Sequence, residues 1–272
     1  MTSNSVLHPV TARGWRAGYN NLFRKENRDW WGTRSWLVQA IIWTAILIGV
    51  LAAVLFAPAD NDASLLLPGG RAALGLTVFF AVAGTALPIG AIIMGQEEVL
   101  DEKRSGTAAW ILSKPVSRVA FIVAKVTANA IGILIILVLL EGALAYGLIA
   151  IVTGHAFPVL PYLGALGVLY LAVMFYFLLS LMFSAASSRG AAIGIPMALL
   201  FGYQFIVGLA PWTLGIMPWG LTNAGTGGGL GSSVAVALVL GQQFSMLPII
   251  ATLAWCMVFV AIALWRFNRD EF

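Results

Sequence analysis

The chain has 272 residues, of which 60% are hydrophobic and only 10% are charged, and its net charge is +4. A soluble domain carries about 25% charged residues, so this composition excludes a soluble globular protein and indicates an integral membrane protein. The basic residues are spread over several loops, which argues against a nucleic-acid-binding face. The single cysteine, Cys256, lies in an apolar segment, so no disulfide can form within the chain.

Residues 1–36 precede the first apolar segment and are too polar for a cleavable secretory signal. Six of them are Arg or Lys, and Trp15, Tyr19, Leu22 and Phe23 recur at roughly helical spacing. Basic residues on one side and aromatic residues on the other predict an interfacial helix on the cytoplasmic surface. A tail that only sets the topology would account for the same pattern equally well.

Six apolar segments follow, and each is near or above the length of about 20 residues that a helix needs to cross a bilayer. They cover residues 37–56, 72–95, 119–151, 162–187, 191–209 and 248–266. The sequence therefore predicts an all-α membrane protein with a transmembrane domain at 37–272. We expect Lys125, near the start of the third segment, to extend its ammonium group to the lipid headgroups.

The positions of the basic residues predict the topology. With the N-terminus inside, fourteen of the fifteen Arg and Lys residues are cytoplasmic and only Arg71 is outside. This distribution follows the positive-inside rule, so both termini and residues 97–118 are predicted in the cytoplasm. Residues 57–71, 152–161 and 210–247 are then predicted on the other side.

Residues 97–118, EEVLDEKRSGTAAWILSKPVSR, form a dense run of mixed charge between two membrane-length apolar segments. Acidic residues precede basic ones, which favours a short helix because the N-terminus of a helix carries partial positive charge. Lys114 should end that helix, since a residue before proline is driven out of the helical region. Ser117 is suited to cap the helix that follows.

Residues 210–247 carry no charge, and five glycines lie between positions 225 and 231. A seventh crossing here would place Arg266 and Arg269 outside, against the topology above. We therefore expect re-entrant or surface helices between the fifth and sixth spans, where irregular backbone is buried in protein or lines a cavity.

Polar residues inside the apolar segments are few. Glu141 lies near the middle of the third span, and an intramembrane acid is costly enough to be a functional candidate, here for the pathway or for gating. A purely structural role remains open, with hydrogen bonds from neighbouring helices. The partners considered are Tyr170, Tyr176, Tyr203 and Gln204.

Two further expectations concern polar and aromatic side chains at the spans. Asn129 on the third span is expected to form a hydrogen bond between helices. Aromatic residues near the span ends predict interfacial belts. They are Trp30, Trp31, Trp36, Tyr162, Trp212, Trp219 and Trp265.

The sequence offers no candidate catalytic residues. The glycine-rich run at 225–233 has no lysine, so it does not match a phosphate-binding P-loop. His8 and His155 are predicted on opposite faces, and no metal-ligand cluster is found. We therefore expect that this chain is not an enzyme and binds no cofactor or metal itself.

The 97–118 segment resembles the cytoplasmic segment of ABC transporter permeases of the type-2 exporter family. The resemblance is carried by Glu102 four positions before Gly106-Thr107, an apolar run, and Ser113 to Arg118. In that family the segment follows the second span and contains the coupling helix, which docks on a separate ATPase. The implied coupling residues are Glu98, Asp101, Glu102, Arg104, Gly106, Thr107, Trp110, Ile111 and Leu112.

The resemblance implies six spans, a cytoplasmic N-terminal elbow helix, and the membrane subunit of an ATP-driven exporter in a bacterial or archaeal inner membrane. Two permease subunits, identical or different, would form the pathway, and two ATPase subunits would bind ATP and Mg. The cargo stays open. The alternatives are an ATP-independent carrier or channel, which would need more polar groups than Glu141 within its spans, and a non-transporting membrane scaffold.

Overall fold

The computed structural model describes residues 14–57, 70–186, 189–223 and 233–269, and this part of the chain is helical without β-strands. The α-helices are α1 (Tyr19–Trp31), α2 (Ser35–Leu55), α3 (Gly70–Arg104), α4 (Thr107–Leu112), α5 (Arg118–Gly132), α6 (Glu141–Thr153), α7 (Val159–Ala185), α8 (Arg189–Phe201), α9 (Tyr203–Leu209), α10 (Trp219–Thr222), α11 (Val234–Val239) and α12 (Leu247–Arg269). A π-helical segment, Ile133–Leu140, joins α5 to α6. The all-α prediction is confirmed.

Five of the described helices are long and apolar enough to cross a membrane: α2, α3, the continuous helix Arg118–Thr153, α7 and α12. A sixth crossing exists if α8 and α9 form one span, because together they pass the same length and composition test. The two helices are bent by 59° where they meet at Gly202. The predicted fifth span is therefore broken, at a residue with low helix propensity.

Helix α7 lies at the centre of the bundle and packs against α3, α8, α11 and α12. Its contact with α3 is close, since a Cβ atom on Gly95 would lie 2.7 Å from the carbonyl oxygen of Phe177. The Ser184 hydroxyl donates to the Gln96 carbonyl at 2.8 Å and accepts from the Leu100 amide at 3.1 Å. Close backbone approach and interhelical hydrogen bonds thus hold the second and fourth spans together.

Short helices occupy the predicted 210–247 region: a 3₁₀ helix at Pro211–Gly215, then α10 and α11. Helix α11 has six residues, about 9 Å at 1.5 Å per residue, which is too short to cross a bilayer. Five of its six residues are buried, and it packs against α7. This agrees with a segment that does not span the membrane. The glycine run at 225–231 lies outside the described residues.

Three of the seven aromatic residues expected at the membrane interface are buried inside the chain: Trp30, Tyr162 and Trp219. Each has an internal partner for its polar atom, which accounts for the difference. The Trp219 indole donates to the Tyr176 hydroxyl at 3.1 Å, and the Tyr162 hydroxyl donates to the Gly142 carbonyl at 2.8 Å.

Candidate functional site

The charged segment after the second span differs in form from the prediction. Helix α3 continues through the acidic residues to Arg104, and only Thr107–Leu112 forms a separate short helix. Acidic residues near the C-terminal end of a helix are opposed by the helix dipole, but here ion pairs with lysines of other helices offset that cost. Gly106 supplies the turn into α4 with a φ of 73°, a conformation that favours glycine.

Helix α4 offers one large apolar side chain to the surface. Trp110 is 62% exposed, whereas Ile111 is 6% exposed and belongs to the core, and Leu112 is half-buried. The Lys114 ammonium lies 3.4 Å from the centre of the Trp110 ring. Of the predicted apolar anchor, only Trp110 is therefore fully available to a partner, and its role stays a prediction.

The predicted polar coupling residues separate into two groups. Asp101, Arg104 and Gly106 are exposed, and Thr107 is half-buried. Glu98 and Glu102 instead point into the chain, with side chains only 17% and 15% exposed. The first group lies beside α4 on the surface, and the second lies in a buried ionic cluster.

Lys125 is the centre of that cluster. Its ammonium nitrogen lies 3.2 Å from Glu26, 3.3 Å from Glu98 and 3.3 Å from Glu102, and the residue is 3% exposed. The expectation that Lys125 reaches the lipid headgroups is wrong. Three carboxylates from two other helices compensate its desolvation, so the side chain turns inward.

Lys25, on α1, lies on the solvent-exposed side of the cluster. Its ammonium group contacts Glu102 at 2.6 Å and Glu26 at 3.1 Å. Burial lowers the pKa of Lys25, but the hydrogen bond to Glu102 and the charges of Glu26 and Glu102 raise it, and the net pKa lies above its usual value. Within the described residues, Glu102 Oε2 is buried without a hydrogen-bond partner.

Asn129 joins the same three helices with side-chain hydrogen bonds, which confirms its predicted interhelical role. It donates to Glu98 at 2.8 Å and accepts from the Trp30 indole at 2.9 Å. We call the six residues the Lys125 cluster. Its members are Lys25, Glu26, Glu98, Glu102, Lys125 and Asn129.

Further contacts fix α1 to the segment that follows α4. The Ser117 amide donates to the Ala17 carbonyl at 2.9 Å, and the hydroxyls of Tyr19 and Thr127 lie 3.0 Å apart. The Ser117 side chain accepts from the amides of Val119 and Ala120, which confirms the predicted cap of α5. The beginning of α1 and the start of the third span are therefore one packed unit.

A cavity of about 400 Å³ lies beside the cluster. Asp29 and Glu97 add two acids to its wall, and Ser35 and Gln39 of α2 add neutral polar groups. Among the described residues, no group of three or more His, Cys, Asp or Glu side chains could hold a metal ion. The cavity is lined by the ion pairs of Lys25 and Lys125 with acids of α1 and α3.

Sequence reasoning missed Lys25, Glu26 and Lys125 as site residues. Two signals were present: a lysine within a predicted span, and an acid in a strongly basic N-terminal segment. Neither signal identifies its partner, because the ion pairs of Lys125 join residues that are 23 to 99 positions apart in the chain.

Glu141 is fully buried, but its partner differs from those predicted. The Thr44 hydroxyl of α2 donates to Glu141 Oε1 at 2.8 Å, and Oε2 has no hydrogen-bond partner in the described part of the chain. Tyr170 donates to the Ala130 carbonyl and Tyr176 pairs with Trp219. Gln204 donates to the Tyr203 hydroxyl at 3.2 Å. All four side chains considered as partners of Glu141 therefore make their hydrogen bonds elsewhere, and that expectation was wrong.

Comparison with known proteins agrees with this arrangement of helices. A family model described as "ABC-2 family transporter protein" matches residues 21–272, which includes all but the first residues of α1 and every span. No curated protein matches the chain in sequence. Since the match covers nearly the whole chain, the protein belongs to the ABC-2 transporter family and is a multi-pass membrane permease component of an ABC transporter.

Proposed function

We propose that this chain is the membrane subunit of an ATP-driven exporter in a bacterial or archaeal inner membrane. Two permease subunits, identical or different, form the pathway, and two cytosolic ATPase subunits bind and hydrolyse ATP with Mg. The observation that carries this proposal is α4, a short helix that presents Trp110 to the surface while its neighbours are fixed in the Lys125 cluster.

Trp110 is suited to be the centre of the contact with the ATPase. Tryptophan is enriched among the residues that dominate binding energy, particularly when it enters a desolvated pocket. Asp101 and Arg104 are exposed nearby and supply a charged rim, which mainly fixes register and association rate. Glu98 and Glu102 serve the coupling from inside, as positioning residues, because their side chains are engaged with Lys125.

Helix α4 is connected to two spans by short segments, so its movement is transmitted to both. Only Ser105 and Gly106 separate α4 from α3, and residues 113–117 connect it to α5. Both helices hold cluster residues, so a displacement of α4 displaces the inner ends of the second and third spans together. This links the ATPase to the membrane pathway through rigid helices with two arrangements, as coupling between distant sites requires.

The test compares two exposed tryptophans. Trp110→Ala together with Leu112→Ala should leave a folded membrane protein that no longer retains or stimulates its ATPase. Trp212→Ala is the matched control, since Trp212 is 69% exposed but lies in the predicted outer segment. The measurements are ATPase co-purification and ATP turnover in reconstituted membranes. Full coupled turnover in the double variant would refute the assignment of α4 as the docking element.

A further inference from the structure

Buried residues recur on the third span at every fourth position. The stripe consists of Lys125, Asn129, Ile133, Leu137, Glu141, Ala145 and Ile149, each at most 3% exposed. Exposed residues follow the same spacing on the outward side. They are Ile131, Ile135, Leu139 and Ala143.

A regular α-helix does not keep such stripes on one side. It has 3.6 residues per turn, so four residues advance about 40° beyond a full turn, and six such steps accumulate about 240°. Ile149 would then face away from the side that Lys125 faces. The π-helical segment Ile133–Leu140 reduces this accumulated rotation. Its i→i+5 hydrogen bonds give more residues per turn, so each residue advances by a smaller angle.

The π-helical segment therefore determines which side Glu141 faces relative to Lys125. The two halves of the span are anchored separately. The inner half is held by the Lys125 cluster, and the outer half by Tyr162, which donates to the Gly142 carbonyl at 2.8 Å. If the segment became α-helical, the outer half of the span would rotate relative to the inner half. The rotation is about 100° for each residue by which the helical register shifts.

We propose that Ile133–Leu140 is a register switch that turns Glu141 away from Thr44 when the ATPase binds nucleotide. The switch rests on the proposed function, because the ATPase supplies the force through α4 and the Lys125 cluster. Two observations converge on this segment. π-helical turns are rare and occur frequently at functional sites, and this one ends at a buried carboxyl group that has one hydrogen bond and one unpartnered oxygen.

Turning the outer half breaks the hydrogen bonds that Thr44 donates to Glu141 and Tyr162 donates to the Gly142 carbonyl, both 2.8 Å long, and neither joins two charged groups. Rotation of the inner half would break stronger contacts, since Lys125 forms ion pairs with three carboxylates and Asn129 forms hydrogen bonds to two other helices. Rotation is therefore expected in the outer half, while the inner half keeps its contacts with α1 and α3.

The experiment measures two cysteine pairs in the permease–ATPase complex, in a Cys256→Ser background. Thr44→Cys with Glu141→Cys reports on the outer half. Tyr19→Cys with Thr127→Cys is the control for the inner half, where the two hydroxyls lie 3.0 Å apart. A short bifunctional thiol reagent should bridge both pairs without nucleotide. After trapping with ATP and vanadate, the outer bridge should be lost and the inner bridge kept.

Equal bridging of the outer pair in both states would overturn the switch, and so would parallel loss of both bridges, which would mean a rigid displacement. A complex that still binds and hydrolyses ATP in those cases would leave the proposed function intact. Deletion of Leu139, an exposed residue of the π-helical segment, removes a surplus residue, so the segment can become α-helical without turning either half, and the outer bridge should then form both with and without nucleotide. If the deletion prevents folding, the switch is tested by bridging of the Thr44→Cys and Glu141→Cys pair in the span without the deletion.

Discussion

Replacement of Lys125 by methionine tests the buried ionic cluster most directly. The wild-type cluster holds three carboxylates and two ammonium groups, so its formal charge is −1. Lys125→Met keeps the volume but changes that charge to −2 and leaves three buried acids with Lys25 alone. Removing one partner of a buried ion pair costs about 3–5 kcal/mol, and we expect a loss of that size in the free energy of unfolding.

The assay is SDS-driven unfolding of the purified permease in mixed micelles, followed by tryptophan fluorescence. Arg24→Met on the exposed side of α1 is the control and should change stability by about 0.5 kcal/mol or less. Adding Glu26→Gln and Glu98→Gln to Lys125→Met should recover much of the loss, since the uncompensated charges disappear. A loss below about 1 kcal/mol, the range of surface ion pairs, would refute the view that Lys125 compensates these acids.

Three further outcomes are expected. Glu141→Gln should leave thermal stability nearly unchanged, since an amide oxygen still accepts one hydrogen bond. Glu141→Leu should cost about 0.5–1.5 kcal/mol, because the half-buried Thr44 hydroxyl loses its hydrogen-bond partner; equal melting temperatures for the two variants would contradict this. Gly132→Leu should cost about 1–3 kcal/mol by overpacking, as a Cβ atom there would lie 2.5 Å from the Trp30 ring, and unchanged unfolding would argue against that contact. A cysteine at position 105 should be labelled by impermeant reagents in inverted vesicles and not in intact cells, and labelling in intact cells would reverse the predicted topology.

The sequence was sufficient for features that depend on local chemistry. Membrane-length apolar segments and the cap at Ser117 follow from residue type and neighbours alone. The broken fifth span was missed, because apolar composition on both sides of Gly202 does not reveal a bend. The length of α3 was also missed, since the acids at its end are stabilised by residues far away in the chain.

Glu141 and Lys125 both show that the sequence does not identify the partner of a buried charged residue. The cost of a buried charge can be read from the sequence, but its partner cannot, because Thr44 and Glu26 come from elements 97 and 99 residues away. Aromatic side chains at span ends were equally ambiguous. Trp30 lies inside because Asn129 accepts its indole hydrogen bond, and that contact is tertiary.

The order in which the Lys125 cluster is synthesised has a consequence for membrane insertion. Glu98 and Glu102 leave the ribosome before Lys125, and all three belong to the hairpin of α3 and α5. A lone lysine entering the bilayer with the third span would be costly. Because Glu98 and Glu102 already lie at the inner surface, the hairpin can insert with the charge of Lys125 compensated within it. We expect α1, although made first, to dock last, when Glu26 and Lys25 join a lysine that already has two acidic partners.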